Sequence, residues 1–303
     1  MKRVLITGAR GLIGRHTSSL LLEKGYEVHA VTSGSLPEVT SEVKWHQNDL
    51  LDISGIPEFI STIKPTHLLH LAWFVSSGQW SSPNAQHMKW VQSSLELVRN
   101  FKEQNGERVV LAGTCMEYDW DYGYCSEYLT PLNPNTFYGQ SKASLYTLIN
   151  AYAKEEELSC GWGRPFFLYG PHENKSRLVA SVIRSLLLGE PARCSHGNQV
   201  RDFLFSHDVA SAFVALLDSD VGGAVNIGSG QAVTLKEIAL EIGRKLGREE
   251  LVQLGAIPAS PKDTPFVVAD TSRITKEVKW TPEYNLDTGL DKTIAWWKKE
   301  LGK

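Results

Sequence analysis

Arg3-Val4-Leu5-Ile6-Thr7-Gly8-Ala9-Arg10-Gly11-Leu12-Ile13-Gly14 is the stretch that decides the fold. Arg3–Thr7 reads as a buried strand: short, apolar and bounded by glycine. Residues 12–24 read as a helix ended by Gly25, a residue suited to the left-handed position after a helix. Between them stand Gly8, Gly11 and Gly14, each with a physical task. The tight turn needs Gly8, close approach of a pyrophosphate needs Gly11, and close packing of helix on strand needs Gly14. The helix then opens with unpaired N–H groups and the positive end of its dipole, which is an anion site. Gly8, Arg10, Gly11, Leu12, Ile13 and Gly14 are therefore expected to hold a dinucleotide.

Outward from this loop, residues 27–32, 44–47, 67–72, 108–112 and 158–161 read as further strands, and 84–104 and 137–156 as long helices. Such alternation predicts βαβ units and a parallel sheet covered by helices on both faces. The fold class expected is α/β, a doubly wound Rossmann sheet over residues 1–163 with a smaller, discontinuous substrate-binding lobe. Segments 164–205 and 229–303 are assigned to that lobe, and 164–205 and 229–286 read as rich in Pro, Gly and loops. A helix at 206–218 and a strand at 224–227 return residues 206–228 to the first sheet. The chain closes with an amphipathic helix at 287–301 that bears Trp296 and Trp297.

The bulk numbers exclude several function classes. A net charge of -3 without a basic run gives no footprint for nucleic acid. No apolar run approaches a membrane span, and Val4-Leu5-Ile6 is too short for the core of a signal peptide. Cys115, Cys125, Cys160 and Cys194 lack metal spacing, and the histidines His172, His196 and His207 are scattered, so no metal site is expected. Reduced thiols and a cytoplasmic location follow from that cysteine usage.

The choice of dinucleotide rests on the end of the second strand. Chains that bind NAD place an acid there for the ribose hydroxyls. This chain has Thr32-Ser33-Gly34-Ser35. Nothing there repels a 2′-phosphate, Arg10 can reach it, and the hydroxyls of Ser33 and Ser35 can donate to it. NADP(H) is preferred, with NAD(H) the alternative. Asp49 and Leu50, after the third strand, are expected at the adenine edge.

Tyr138-Gly139-Gln140-Ser141-Lys142 opens a long helix, and the i, i+4 spacing sets Tyr138 and Lys142 one turn apart on one face. An ammonium beside a phenol lowers its pKa, which would suit Tyr138 as general acid or base between a hydroxyl and a ketone. Lys142 can also hydrogen-bond a nicotinamide ribose. Thr114 follows the strand 108–112 at the carboxyl edge of the sheet, where ligands of such folds sit, and can donate to a substrate oxygen as it gains charge.

With these pieces in place the chain resembles the extended short-chain dehydrogenase/reductase family, and within it the nucleotide-sugar epimerases, dehydratases and reductases. The resemblance runs nearly end to end. It is carried by Thr7 to Gly14, His70-Leu71-Ala72, Thr114 to Tyr118, Tyr138 to Lys142, Arg164 to Pro171 and Arg201-Asp202-Phe203. Asp208-Val209-Ala210, Asn226-Ile227-Gly228-Ser229-Gly230 and Lys279-Trp280-Thr281-Pro282 extend it. It implies a catalytic triad of Thr114, Tyr138 and Lys142, with Tyr138 exchanging a proton with the sugar while nicotinamide C4 exchanges a hydride. It implies Leu71 and Ala72 beside the cofactor, and Trp73, Cys115, Met116, Tyr169 and Arg201 toward a nucleotide-diphosphate sugar. It also implies a homodimer, paired through the helices at 84–104 and 137–156.

The departures narrow the chemistry. Cys115 and Met116 stand where the dehydratases of the family carry Asp-Glu, so elimination of water lacks its acid and base, and Glu117 is one place too far on. Phe167 replaces an amide, and Trp73 and Trp90 replace small or polar residues; Trp73, Phe74 and Trp80 together suggest an apolar wall. Reduction of a nucleotide-linked keto sugar is the first reading and epimerisation with tightly held NAD the second. A non-catalytic dinucleotide sensor is the third, and the intact triad speaks against it.

Overall fold

Val4 and Ile6 lie on one side of the first strand and Leu5 on the other, and the two sides end in different hydrophobic cores. This period of two is what a sheet buried on both faces demands. The computed structural model describes residues 2–37, 42–74, 85–260 and 263–303. Along the chain run β1 (Arg3–Thr7), α1 (Gly14–Glu23), β2 (Glu27–Thr32), β3 (Lys44–Gln47), α2 (Ile56–Ile63), β4 (His67–His70), α3 (Ala85–Glu103) and β5 (Arg108–Ala112). A short β6 (Tyr124–Cys125), α4 (Phe137–Glu155), β7 (Ser159–Pro165) and β8 (Phe167–Tyr169) follow. Beyond them come α5 (Leu178–Leu188), β9 (Ala192–Arg193), β10 (Val200–Phe205), α6 (Ser206–Asp218), β11 (Gly223–Ile227) and β12 (Ala232–Thr234). The remainder is α7 (Leu235–Leu246), β13 (Val252–Gln253), β14 (Phe266–Ala269), α8 (Ser272–Lys276) and α9 (Leu286–Glu300).

Seven strands form one sheet in the order β11-β7-β5-β4-β1-β2-β3, every pair parallel. On one face Val4, Ile6, Val28, Val110 and Val225 pack beneath Leu21 of α1 and Phe213, Leu216 and Leu217 of α6. On the other, Leu5, Leu68, Val109, Leu111 and Trp162 pack beneath α2, α3 and α4 through residues such as Ile60, Phe101 and Ile149. The strand order reverses beside β1, so β1 and β4 open a crevice at their carboxyl ends, where ligands of doubly wound sheets bind.

The outer edge of β11 is closed by side chains rather than by another strand. Glu127 accepts the Asn226 N–H at 2.8 Å, and Arg273 donates to the carbonyls of Ala224 and Gly222. A satisfied edge offers no template for a second chain.

A second sheet, β12-β10-β14-β6 with β8 joined to β10, lies under α5, α7 and α9, whose apolar faces share one core around Ile183, Ile238, Leu290 and Trp297. Asp202 of β10 is its polar hub. The carboxylate is fully buried and accepts from Ser229 N (2.7 Å), Ser229 Oγ (2.6 Å), Gly230 N (2.9 Å) and Ala269 N (3.2 Å).

The structure corrects the sequence reading in four places. Segments 164–205 and 229–286, read as loop-rich, contain the regular helices α5 and α7, and α2 was not foreseen at all. In α2 the proline at the first turn, Pro57, marks a helix start rather than a break. The strand expected at 158–161 is β7 and runs on to Pro165 through Gly161 and Gly163; a Cβ on Gly163 would run into the Phe213 ring of α6, and one on Gly161 would press on Val110 and Leu216. The helix expected at 12–24 begins at Gly14, leaving Leu12 and Ile13 in the loop.

Replacing Asp202 by Asn puts an amide among four donors. Asp202→Asn should cost about 2–4 kcal/mol of stability, read as a lower urea midpoint at unchanged m. A midpoint equal to the parent's would show that the hub does not hold the second sheet together.

Candidate active site

The crevice is organised by a hydrogen-bond relay at the ends of β1 and β4. Ser94 Oγ donates to the Trp90 carbonyl at 2.6 Å, so it receives its second bond from His70 Nε2 at 2.8 Å. That leaves His70 Nδ1 as the acceptor for the Thr7 hydroxyl at 2.7 Å, and Thr7 Oγ1 in turn accepts the Ala72 N–H at 3.1 Å. Burial, with the Lys142 charge adding to it, brings the His70 pKa down to about 3, which keeps the ring neutral and fixes the tautomer. His70 is therefore structural, and it sets where Leu71, Ala72 and Trp73 leave the strand.

The glycine loop fits a dinucleotide. Gly8 has φ +71°, and a Cβ there would lie 2.7 Å from Ala72 N. A Cβ on Gly14 would run into the Gly8 carbonyl. No side chain caps the N-terminus of α1, and the N–H groups of Arg15 and His16 bond the carbonyls of Gly11 and Ile13, at 3.1 Å each, so the positive end of the helix dipole, rather than these two donors, faces the loop. Arg10 is exposed and lies against the end of β2: its guanidinium donates to the Ser35 carbonyl at 3.1 Å, beside Gly34 and the exposed Ser33. Asp49 accepts the Leu51 N–H at 3.0 Å in a local turn, and Leu50 is buried with its carbonyl taken by Ser93.

Thr114, Tyr138 and Lys142 come together. Thr114 opens the helical turn after β5 as its N-cap, and its hydroxyl is hydrogen-bonded to the Tyr138 phenol. All three side chains are buried. Thr136 caps α4 by accepting the Gly139 N–H at 3.1 Å, which fixes the helix turn that bears Tyr138. Gly139 matters for a second reason: a Cβ there would collide with the Met116 carbonyl, so only glycine lets the strand-end turn settle on α4.

Lys142 is placed differently from expectation. Its ammonium donates to the Ala112 carbonyl at 2.6 Å and lies 3.7 Å from the centre of the Trp73 ring. Burial brings its pKa down to about 7. Burial also pushes the Tyr138 phenol up rather than down, and the main opposing influence is the hydrogen bond to Thr114. The lowered phenol expected from Lys142 is thus corrected: desolvation outweighs charge in this crevice.

The expected substrate residues are scattered. Trp73 is committed to Lys142 and donates its indole N–H to His87 Nδ1 at 3.1 Å, so it is a shelf for the lysine and not a free apolar wall. Phe74 packs edge-on against His87, and Trp80 lies outside the described residues. Cys115 is buried against Tyr118, Cys125 and Phe166, and burial pushes its thiol up. Met116 borders the same cluster, half-buried. Tyr169 is almost wholly buried in the second lobe, its hydroxyl donating to the Leu286 carbonyl at 3.3 Å, a packing position rather than the substrate loop expected. Arg201 is buried over the rings of Trp120 and Phe167 and paired with Asp263.

Two residues near Tyr138 escaped the sequence reading. His87, at the start of α3, has its ring 5.5 Å from the Tyr138 ring. Arg177, the residue before α5, draws the phenol down through its charge and pairs with Glu173, whose pKa burial raises to about 7. No spacing rule pointed to either, because one sits beside a tryptophan-rich stretch and the other in a segment read as loop.

The pKa of Lys142 has a consequence for stability. The unfolded chain keeps this proton up to the ordinary value of 10.5, whereas the folded chain releases it at about 7. Between those values the unfolded state binds more protons, so stability rises with pH. Relative to Lys142→Met, the parent should gain stability from about pH 7 to about pH 10 in urea unfolding and run parallel to the variant below that range. A constant difference across the whole range would mean the ammonium survives folding.

Comparison with known proteins places the chain. The model of the NAD dependent epimerase/dehydratase family matches residues 4–228. The chain is 27% identical over 310 residues to UDP-glucuronic acid decarboxylase 1 of Xenopus tropicalis, covering 99% of this chain and 73% of that one. It is 26% identical over 320 residues to UDP-glucuronate 4-epimerase of Thermodesulfobacterium geofontis, covering 98% and 96%. Among solved structures, MoeE5 in complex with UDP-glucuronic acid and NAD matches with a TM-score of 0.86 at 28% identity, covering 98% of this chain and 99% of that one.

Proposed function

The chain belongs to the NAD dependent epimerase/dehydratase family, and from that premise we propose that it is an NAD(P)-dependent oxidoreductase that reduces a keto group of a nucleotide-diphosphate sugar. The observation that carries this reading is the hydrogen bond between Thr114 and Tyr138 at the carboxyl end of β5, beside the glycine loop and the buried Lys142. A bound nicotinamide supplies the hydride. The chain's own residues handle the proton and the orientation. Tyr138, held protonated by burial, gives its proton to the carbonyl oxygen as that oxygen gains charge. Thr114 gives its one hydroxyl proton to the phenol oxygen, which orients the phenol and stabilises the phenolate that the transfer leaves. Lys142 holds the nicotinamide ribose from the floor made by Ala112 and Trp73. Arg201, buried beside aromatic rings, would release Asp263 to grip a diphosphate.

NADP(H) is the proposed cofactor, on the position of Arg10 over residues 33–35 and the lack of an acid there. The unbonded state of all four cysteines fits a reducing, cytoplasmic setting. A homodimer is proposed through α3 and α4, which pack together and leave Met88 and Leu148 strongly exposed. Epimerisation with retained NAD is the second reading. It is favoured by the likeness to UDP-glucuronate 4-epimerase over 98% of this chain.

Purified protein should bind NADPH more tightly than NADH, and Arg10→Ala should erase about tenfold or more of that preference. Copurified NAD that resists exchange would instead select the epimerase. Tyr138→Phe should lower turnover of a nucleotide sugar by about 100-fold or more, with cofactor binding intact. Undiminished turnover in that variant would sink the catalytic assignment. Light scattering should give the mass of two chains, and a monomer at micromolar concentration would exclude the proposed pairing.

A further inference from the structure

Glu117 carries a buried carboxylate that the proposed proton transfer does not use. Its side chain is fully inaccessible, in a single helical turn (Cys115–Glu117) directly after Thr114. The carboxylate accepts three donors. Arg164 Nε lies at 2.7 Å, the Trp162 indole N–H at 3.0 Å, and the backbone N–H of Thr114 at 2.8 Å. The turn is closed from the other side, where the Thr114 hydroxyl oxygen accepts the Met116 N–H at 3.3 Å. Thr114 is thus clamped reciprocally, by its amide to Glu117 and by its hydroxyl to Met116, in the pattern of a capping box.

We propose that Glu117 is the positioning residue of Thr114, and through it of the Tyr138 phenol; the inference rests on the reading of Thr114 and Tyr138 given above. A carboxylate needed only to neutralise Arg164 has no reason to bond the Thr114 amide. Arg164 already has the Tyr118 hydroxyl at 3.0 Å and the faces of Tyr118 and Tyr146. The residue before Thr114 is Gly113, and a Cβ there would run into both the Trp162 indole nitrogen and the Glu117 carboxylate. The strand end therefore admits the carboxylate directly beneath the threonine. Trp162 and Arg164 lie in β7, next to β5, so Glu117 ties the position of Thr114 to the rigid centre of the sheet rather than to a loop.

Glu117→Asp separates the two roles. It keeps a charge for Arg164 but is one methylene too short to hold the Thr114 amide as well. The probes are NADPH and NAD with a panel of UDP-, dTDP-, GDP- and CDP-linked hexoses and their 4-keto forms, followed by nicotinamide absorbance. The expected result is a loss of about 10- to 100-fold in kcat, with KM and NADPH binding little changed, because a small misplacement of a catalytic group is felt in the transition state. The paired variant Glu117→Leu with Arg164→Met removes both charges, a change buried ion pairs commonly tolerate, and should show the same loss of kcat if Glu117→Asp fails to fold. Parental kcat in either folded variant overturns the inference while leaving the triad standing, provided Tyr138→Phe is inactive. A loss of kcat matched by equal losses of stability and NADPH binding would assign Glu117 to the fold alone. Activity that survives Tyr138→Phe, or a parent inert toward the whole panel, would overturn both readings.

Discussion

The close approach of the turn after β1 to the end of β4 is the constraint on which the site depends. Gly8 sits with its α-carbon hydrogen where any side chain would meet the Ala72 backbone. Its left-handed conformation is free for glycine and costly for other residues. Thr7, one residue earlier, spends its hydroxyl on the same place by accepting from Ala72 and donating to His70. The glycine turn and the floor of the crevice are therefore one piece. If the two strands slid apart, the glycine loop would lose its wall and Trp73 its position under Lys142.

From this floor the chemistry of the buried groups follows. Lys142, Tyr138 and His70 are all nearly inaccessible, and each moves toward its neutral form. Desolvation disfavours charge of either sign, so the crevice holds a neutral imidazole, a protonated phenol and a lysine whose pKa is brought down to about 7. The phenol is consequently an acid before it is a base. The Glu117 charge works against desolvation at Lys142, and the Trp73 ring face under the ammonium is a surface that favours a cation.

Much of this was legible in the sequence because the signals were local. The glycine spacing, the strand before it and the i, i+4 pair of Tyr138 and Lys142 depend on residues a few places apart. The doubly wound sheet could be read because β1 and β5 carry short apolar runs, Val4-Leu5-Ile6 and Val109-Val110-Leu111-Ala112, between longer helical patterns. What could not be read was set by distant partners. Trp73 looked like a ligand wall because its claim on Lys142 joins residues nearly seventy apart. Tyr169 looked like a substrate residue until α9 covered it. The helices α5 and α7 were hidden by neighbouring Pro and Gly, although their apolar residues recur at helical spacing and bury into a shared core. His87 and Arg177 reach Tyr138 only through tertiary structure.

Glu117 shows how a departure from the family pattern can be compensated. The turn after β5 lacks the carboxylates that the dehydratases carry at 115 and 116, and those places hold a buried thiol and a half-buried thioether. A carboxylate is present two residues beyond Cys115, but it points into the sheet and is saturated by Arg164, Trp162 and the Thr114 amide. Such a group is wholly inaccessible and held by three donors. With that carboxylate turned into the sheet, the strand end presents the Thr114 hydroxyl to the Tyr138 phenol, and the two form one hydrogen-bonded pair.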